Sequence, residues 1–177
     1  MNRIGAFVRF ASGLSTASLT MVLCLSAQAH PQTTPANPVH KDPVMTHHAE
    51  GTFDVKMTPL PADDAGIPIS RYSGVKQFHG DLDGTSKVEM LGAGDPAKGN
   101  AGYVALEYVT GNLQGHTGSF ALQHNGTMEG GSYKLSVTVV PGTGTGELTG
   151  IAGSFNIIIA SGKHSYTFDY TLPVAAQ

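Results

Sequence analysis

Five residues have types and neighbours that could do chemistry: His124, His164, Glu107, Tyr133 and Tyr166. Two imidazoles beside one opening could exchange protons near neutral pH or hold a metal, with Glu107 as a third group. Glu107 interrupts an apolar run, Tyr103-Val104-Ala105-Leu106-Glu107-Tyr108-Val109. Turned inward, its pKa would rise with burial, and it could act as an acid or orient the polar head of a ligand. Turned outward, it would be an ordinary solvated carboxylate. The plainer reading of each histidine is a strand-end cap bonded to a backbone carbonyl, because the sequence identifies no carboxylate partner for either. The five therefore stand as candidate ligand-binding residues, with no catalytic residue, metal ligand or cofactor assigned.

Other motifs carry less. Pro141-Gly142-Thr143-Gly144-Thr145-Gly146 resembles a phosphate loop but lacks the Lys and the following helix, so it reads as a turn. There is no Gly-x-Ser-x-Gly and no nucleophilic Cys. Asn125-Gly126-Thr127 is a glycosylation sequon in form only. Cleavage after Ala29 would expose His30, whose amine and imidazole could chelate copper, but a flexible tail does not fix ligand geometry.

The start of the chain reads as a leader. Arg3 and Arg9 precede the uncharged stretch Leu14–Leu25, and Ser26-Ala27-Gln28-Ala29 supplies the small residues of a cleavage site. That order predicts a signal peptide over residues 1–29 and a secreted or periplasmic protein. The apolar stretch is too short for the ~20 residues of a membrane span. Removing it takes two of the ten basic residues and none of the thirteen acidic ones, so the net charge becomes −5. The single Cys, Cys24, goes with it, and no disulfide is expected in the remainder. A surface of that sign disfavours nucleic acid and anionic lipid as partners, and no stable membrane insertion is expected after cleavage.

The elements that must position the five residues are strands. Charged residues make up 13% of the chain against a usual ~25%, and there are 23 Gly. Residues 30–47 hold four Pro and read as a tail. From His48 onward, short runs of Val, Tyr, Phe, Thr and Ile alternate with Gly clusters. They predict eight strands, near 49–58, 70–79, 85–92, 102–110, 116–124, 132–140, 153–160 and 163–172. The expected domain is 48–173, with 174–177 as a C-terminal tail. Its expected fold is all-β, an eight-stranded antiparallel up-and-down barrel.

An internal repeat adds geometry. Gly111-Asn112-Leu113-Gln114-Gly115 and Gly146-Glu147-Leu148-Thr149-Gly150 are each followed three residues later by Gly-Ser-Phe, and Gly80-Asp81-Leu82-Asp83-Gly84 keeps the first five positions. In an up-and-down barrel all three connections fall at one end, where the leucines would plug it. The opposite end would be the mouth. Centring the fourth hairpin on Leu113 turns Val104, Leu106 and Tyr108 inward and Glu107 outward. A one-residue slip or bulge would reverse that. A two-residue turn at Ser161-Gly162 sets Ile159, Ile157 and Phe155 against His164, Tyr166 and Phe168. His124 and His164 then share the inner face near the mouth, with Tyr133 and Tyr166 on that face.

Several segments together resemble a known family. They are Gly51 to Lys56, Phe78 to Gly84, Gly102 to Glu107, Gly118 to Phe120, Gln123-His124 and Val140 to Leu148, followed by Gly150, Gly153, His164 and Tyr166. Over about 48–173 the chain resembles the bacterial domain-of-unknown-function family 3224. The resemblance implies an eight-stranded barrel like that of allene oxide cyclases and dirigent proteins. It implies no activity, and no catalytic motif of the plant cyclases is matched.

The function expected on these grounds is the binding of a small, mostly apolar ligand in the lumen. The alternatives are a cyclase- or isomerase-type enzyme working in a dry lumen, or a packed structural or oligomer-forming domain without ligand.

Overall fold

Alternation of inward and outward residues builds the strands. In Ala101–Thr110, for example, Ala105, Glu107 and Val109 are buried while Val104, Leu106 and Tyr108 are exposed. The computed structural model describes residues 45–61 and 66–173. It contains β1 (Thr46–Leu60), β2 (Ile69–Gly80), β3 (Leu82–Asp95), β4 (Asn100–Leu113), β5 (His116–Glu129), β6 (Ser132–Val139), β7 (Ala152–Ala160) and β8 (Lys163–Thr171). Each strand pairs with its sequence neighbours, and β1 pairs with β8, so the antiparallel sheet closes into an up-and-down barrel. Among the described residues no helix is long and apolar enough to cross a membrane.

The expected signal peptide, residues 30–44 of the expected tail, and 174–177 lie outside the described residues. The last two residues of the segment read as tail belong to β1. Thr46 and His47 pair with Thr171 and Tyr170, and the His47 ring stacks on Tyr170 with centroids 5.1 Å apart. Their polar side chains gave no apolar signal.

The three repeat segments lie at one end of the barrel. Leu82, Leu113 and Leu148 are completely buried there. Leu82 opens β3 and Leu113 closes β4, and the two are cross-strand partners rather than turn apices. Gly84 closes one repeat and Gly111 opens the next, and the two face each other directly. A Cβ on Gly84 would come within 2.8 Å of the Gly111 Cα, and the converse approach is 2.7 Å, so only glycine lets the repeats meet. The third copy is a short 3-10 turn, Gly146–Leu148, within a longer connection.

Above the leucines, aromatic rings fill the same half of the lumen. Phe168 stacks on Phe120 at 5.7 Å and on Tyr170 at 5.2 Å, and Phe155 stacks on Tyr166 at 5.0 Å. All five are at most 2% exposed. Each buried side chain of this size contributes roughly 1.5–3 kcal/mol, so this half is the main source of stability.

The pairing of β4 with β5 corrects the expected faces. The turn is Gln114-Gly115, with φ of 49° and 94°, and Leu113 pairs with His116. Relative to a turn centred on Leu113, β4 shifts by an odd number of residues, and every β4 side chain changes face. Ala105, Glu107 and Val109 point inward. Val104, Leu106 and Tyr108 are about half exposed on the outside. The β7–β8 pairing follows the Ser161-Gly162 turn as read, with His164 opposite Ile159.

The β6–β7 junction is the thinnest. A single residue pair, Thr138 with Ser154, defines its ladder. The connection between the two strands bonds to β5 instead, through Val140 N–H to Ala121 O at 2.9 Å and Thr145 N–H to Ser119 O at 2.9 Å.

Candidate functional site

Four consecutive strands each contribute one polar side chain to the lumen. Lys76 comes from β2, Ser86 from β3, Glu107 from β4 and His124 from β5. Lys76 and Ser86 are register partners. Glu107 sits one inward position further along, opposite Val88, and His124 another, opposite Ala105. A diagonal of this kind across the ladder is what strand tilt turns into a level row inside a closed barrel.

The row is centred on Glu107, which is fully buried. Lys76 Nζ donates to its Oε2 at 2.6 Å, and Ser86 Oγ–H donates to its Oε1 at 2.6 Å. His124 Nε2 stands 2.9 Å from Oε2, within ion-pair distance. It lies off the line that a hydrogen bond needs, so this buried nitrogen has no hydrogen-bond partner among the described residues. Lys76 Nζ also lies 4.7 Å from the centre of the Phe53 ring. Burial pushes the Glu107 pKa up, but the His124 contact, the Lys76 charge and the Lys76 and Ser86 hydrogen bonds outweigh it. The carboxyl is held below its ordinary value and stays ionised at neutral pH. This reverses the expectation that an inward Glu107 would be a raised-pKa acid, because its neighbours had not been identified.

The row forms the floor of a cavity. On the mouth side is a space of about 360 Å³, whose lining includes Lys76, His124, Val55, Leu135, Ile157 and His164. Glu107 lies behind Lys76 and His124 and does not line it. His164 stands higher, its ring 5.1 Å from Phe53. Tyr133 lies at the rim, half exposed, and donates to Tyr103 Oη at 3.0 Å. Burial, then the Tyr133 bond, pushes the Tyr103 phenol far up, so it stays protonated. A second space of about 180 Å³ shares Met90, Tyr103 and Tyr133 with the first.

Of the five residues singled out from sequence, His124, His164 and Tyr133 line this cavity, and Glu107 supports its floor. Tyr166 faces inward but belongs to the packed half, where its Oη accepts from Leu82 N–H at 2.8 Å. Lys76, Ser86 and Tyr103 were missed. Phe78 marks the inner face of β2, and alternation puts Lys76 beside it. That was the available signal, obscured by apolar Val75 next door. Among the described residues, no three His, Cys, Asp or Glu side chains gather as a metal site.

Fold and site define a closed eight-stranded barrel, plugged at one end, with a polar-floored cavity open at the other. The chain belongs to the family described as "Protein of unknown function (DUF3224)", whose profile matches residues 49–170. It is similar to the crystal structure of a protein of unknown function from that family in Shewanella oneidensis MR-1. The two are 43% identical with a TM-score of 0.68, over 73% of this chain and 100% of the other. No curated protein matches.

Proposed function

We propose that this chain is an exported barrel that holds a small, mostly apolar molecule in the open half of its lumen. One observation carries the reading. A cavity of about 360 Å³, walled by Val55, Leu135 and Ile157, ends on a floor that includes Lys76 and His124. An apolar wall with a few convergent polar groups is the usual form of a small-molecule site. The space beside both histidines speaks against a lumen filled by side chains. Export rests on the Arg3, Arg9 and Ala27-Gln28-Ala29 pattern of the leader.

Native mass spectrometry of the protein purified from its own host tests the reading. A bound mass released on denaturation is expected, and Ala105→Phe, which places a ring in the cavity, should abolish it. Protein that is always ligand-free, and that takes up the neutral dye Nile red no better than the Ala105→Phe variant, would refute it.

A second reading, acid–base catalysis, has one observation in its favour. His124 lines the cavity with its Nε2 2.9 Å from the Glu107 carboxylate, so an imidazole, the commonest proton-transferring side chain, borders the space a substrate would occupy. Recovery of the bound molecule together with an isomer of it, and loss of the isomer in His124→Gln, would support catalysis over simple binding.

A further inference from the structure

The floor of the cavity has more to give than to take. Lys76 carries three N–H donors, and one of them goes to Glu107. The opposite partners, the two oxygens of Glu107, are already engaged by Lys76 and Ser86 and are covered by Lys76 and His124. A molecule that reaches Lys76 therefore meets the remaining ammonium donors, and an acceptor is what satisfies them. An amine would offer donors and a positive charge to the Lys76 ammonium.

The charge balance narrows the choice further. Lys76 and Glu107 already cancel one another at 2.6 Å, in a site where neither is more than 7% exposed. A carboxylate accepting from the other side of the same ammonium would stand within the ~4–6 Å over which like charges disfavour one another. It would also leave a net negative charge away from water, which is costly. A neutral oxygen acceptor takes the free Lys76 donors without upsetting the balance.

We infer that the occupant of this lumen is a neutral molecule whose inner end is an oxygen acceptor, as in a ketone or an ester, and that Glu107 keeps carboxylic acids out. This rests on the lumen-binding reading above and specifies the ligand class.

Calorimetry of the full barrel with four matched probes tests it: methyl hexyl ketone, octyl chloride, octanoate and octylamine, at neutral pH. The ketone should bind about tenfold tighter than octyl chloride, the gain of one hydrogen bond to a charged donor. It should exceed octanoate and octylamine by at least as much. Glu107→Gln leaves the Lys76 charge uncancelled and should reverse the order, so that octanoate binds tighter than the ketone. Should that variant fail to fold, Lys76→Met/Glu107→Gln keeps the charge balance and should shrink the ketone advantage over octyl chloride to below about threefold.

Octanoate or octylamine binding as tightly as the ketone in the unaltered protein would overturn the inference, and so would octyl chloride matching the ketone. In all three cases the lumen-binding reading survives. Failure of all four probes to bind would instead sink that reading, and the inference with it.

Discussion

Lys76 and Glu107 form a 2.6 Å ion pair across the inside of the barrel, although their strands, β2 and β4, are not neighbours. Ser86, on the strand between, bonds the free oxygen of the same carboxylate. Three strands are thus tied by side chains in addition to their backbone ladders.

Breaking this pair should cost more than removing it. Glu107→Ala leaves a buried ammonium without its partner and should destabilise the fold by about 3–5 kcal/mol in urea unfolding. Replacing both partners, as in Lys76→Met/Glu107→Leu, should cost far less or nothing. Equal losses in the two proteins would mean that packing, and not the charge, is what Glu107 supplies.

The pair also sets the acid limit. The folded state holds the Glu107 pKa below its ordinary value of 4.5. Its contribution is therefore present above that value and is lost as pH falls through the lower folded value. Thermal melts from neutral to acid pH should show the loss below about 4.5, and Lys76→Met/Glu107→Leu should fall less steeply there. Parallel acid limbs would contradict the assignment.

The leucine plug makes a second set of expectations. Leu82→Ala, Leu113→Ala and Leu148→Ala each empty a fully buried site and should cost about 2–5 kcal/mol. Leu82 and Leu113 are direct partners, so their double variant should depart from the sum of the singles. Near-zero costs in chemical denaturation would show that the closed end is solvated.

Tyr166→Phe isolates one hydrogen bond. The ring remains stacked on Phe155, but the Leu82 N–H loses its acceptor. A buried unpaired amide costs about 1–3 kcal/mol. Hydrogen exchange at the Leu82 amide should accelerate more than at its neighbours in β3. Unchanged exchange there would show that the hydroxyl is dispensable.

The barrel itself was legible because its signals are local. Strand alternation, eight Gly-bounded runs and the Ser161-Gly162 turn each act over a few residues, and the β7–β8 register follows from the turn alone. The β4–β5 register was misread because Leu113 is central in its repeat, whereas the backbone reverses at Gln114-Gly115. That one choice decided which way Glu107 faced. Counting strands put His124 and His164 on the inner face, but β5 runs on to Glu129, so His124 stands within its strand and not at the end where it was expected. Lys76 could not be joined to Glu107 in the same way, because the stagger that brings β2 and β4 side chains together is a property of the closed sheet and of no single segment.

The junction of β6 and β7 gives the ring a clasp. With one residue pair across it, this is the place where the cylinder can part without disrupting any other ladder. The remaining order, from β7 through β8 and β1 to β6, is an unbroken ribbon. Amides along β6 and β7 that face the clasp should therefore exchange with solvent by partial opening, well before β3 and β4 do so by global unfolding. Such an opening would widen the chamber from the side, since Tyr133, Leu135, Ile157 and Ile159 stand on the two strands that part. On the lumen-binding reading proposed above, a guest too broad for the rim would enter through that slit.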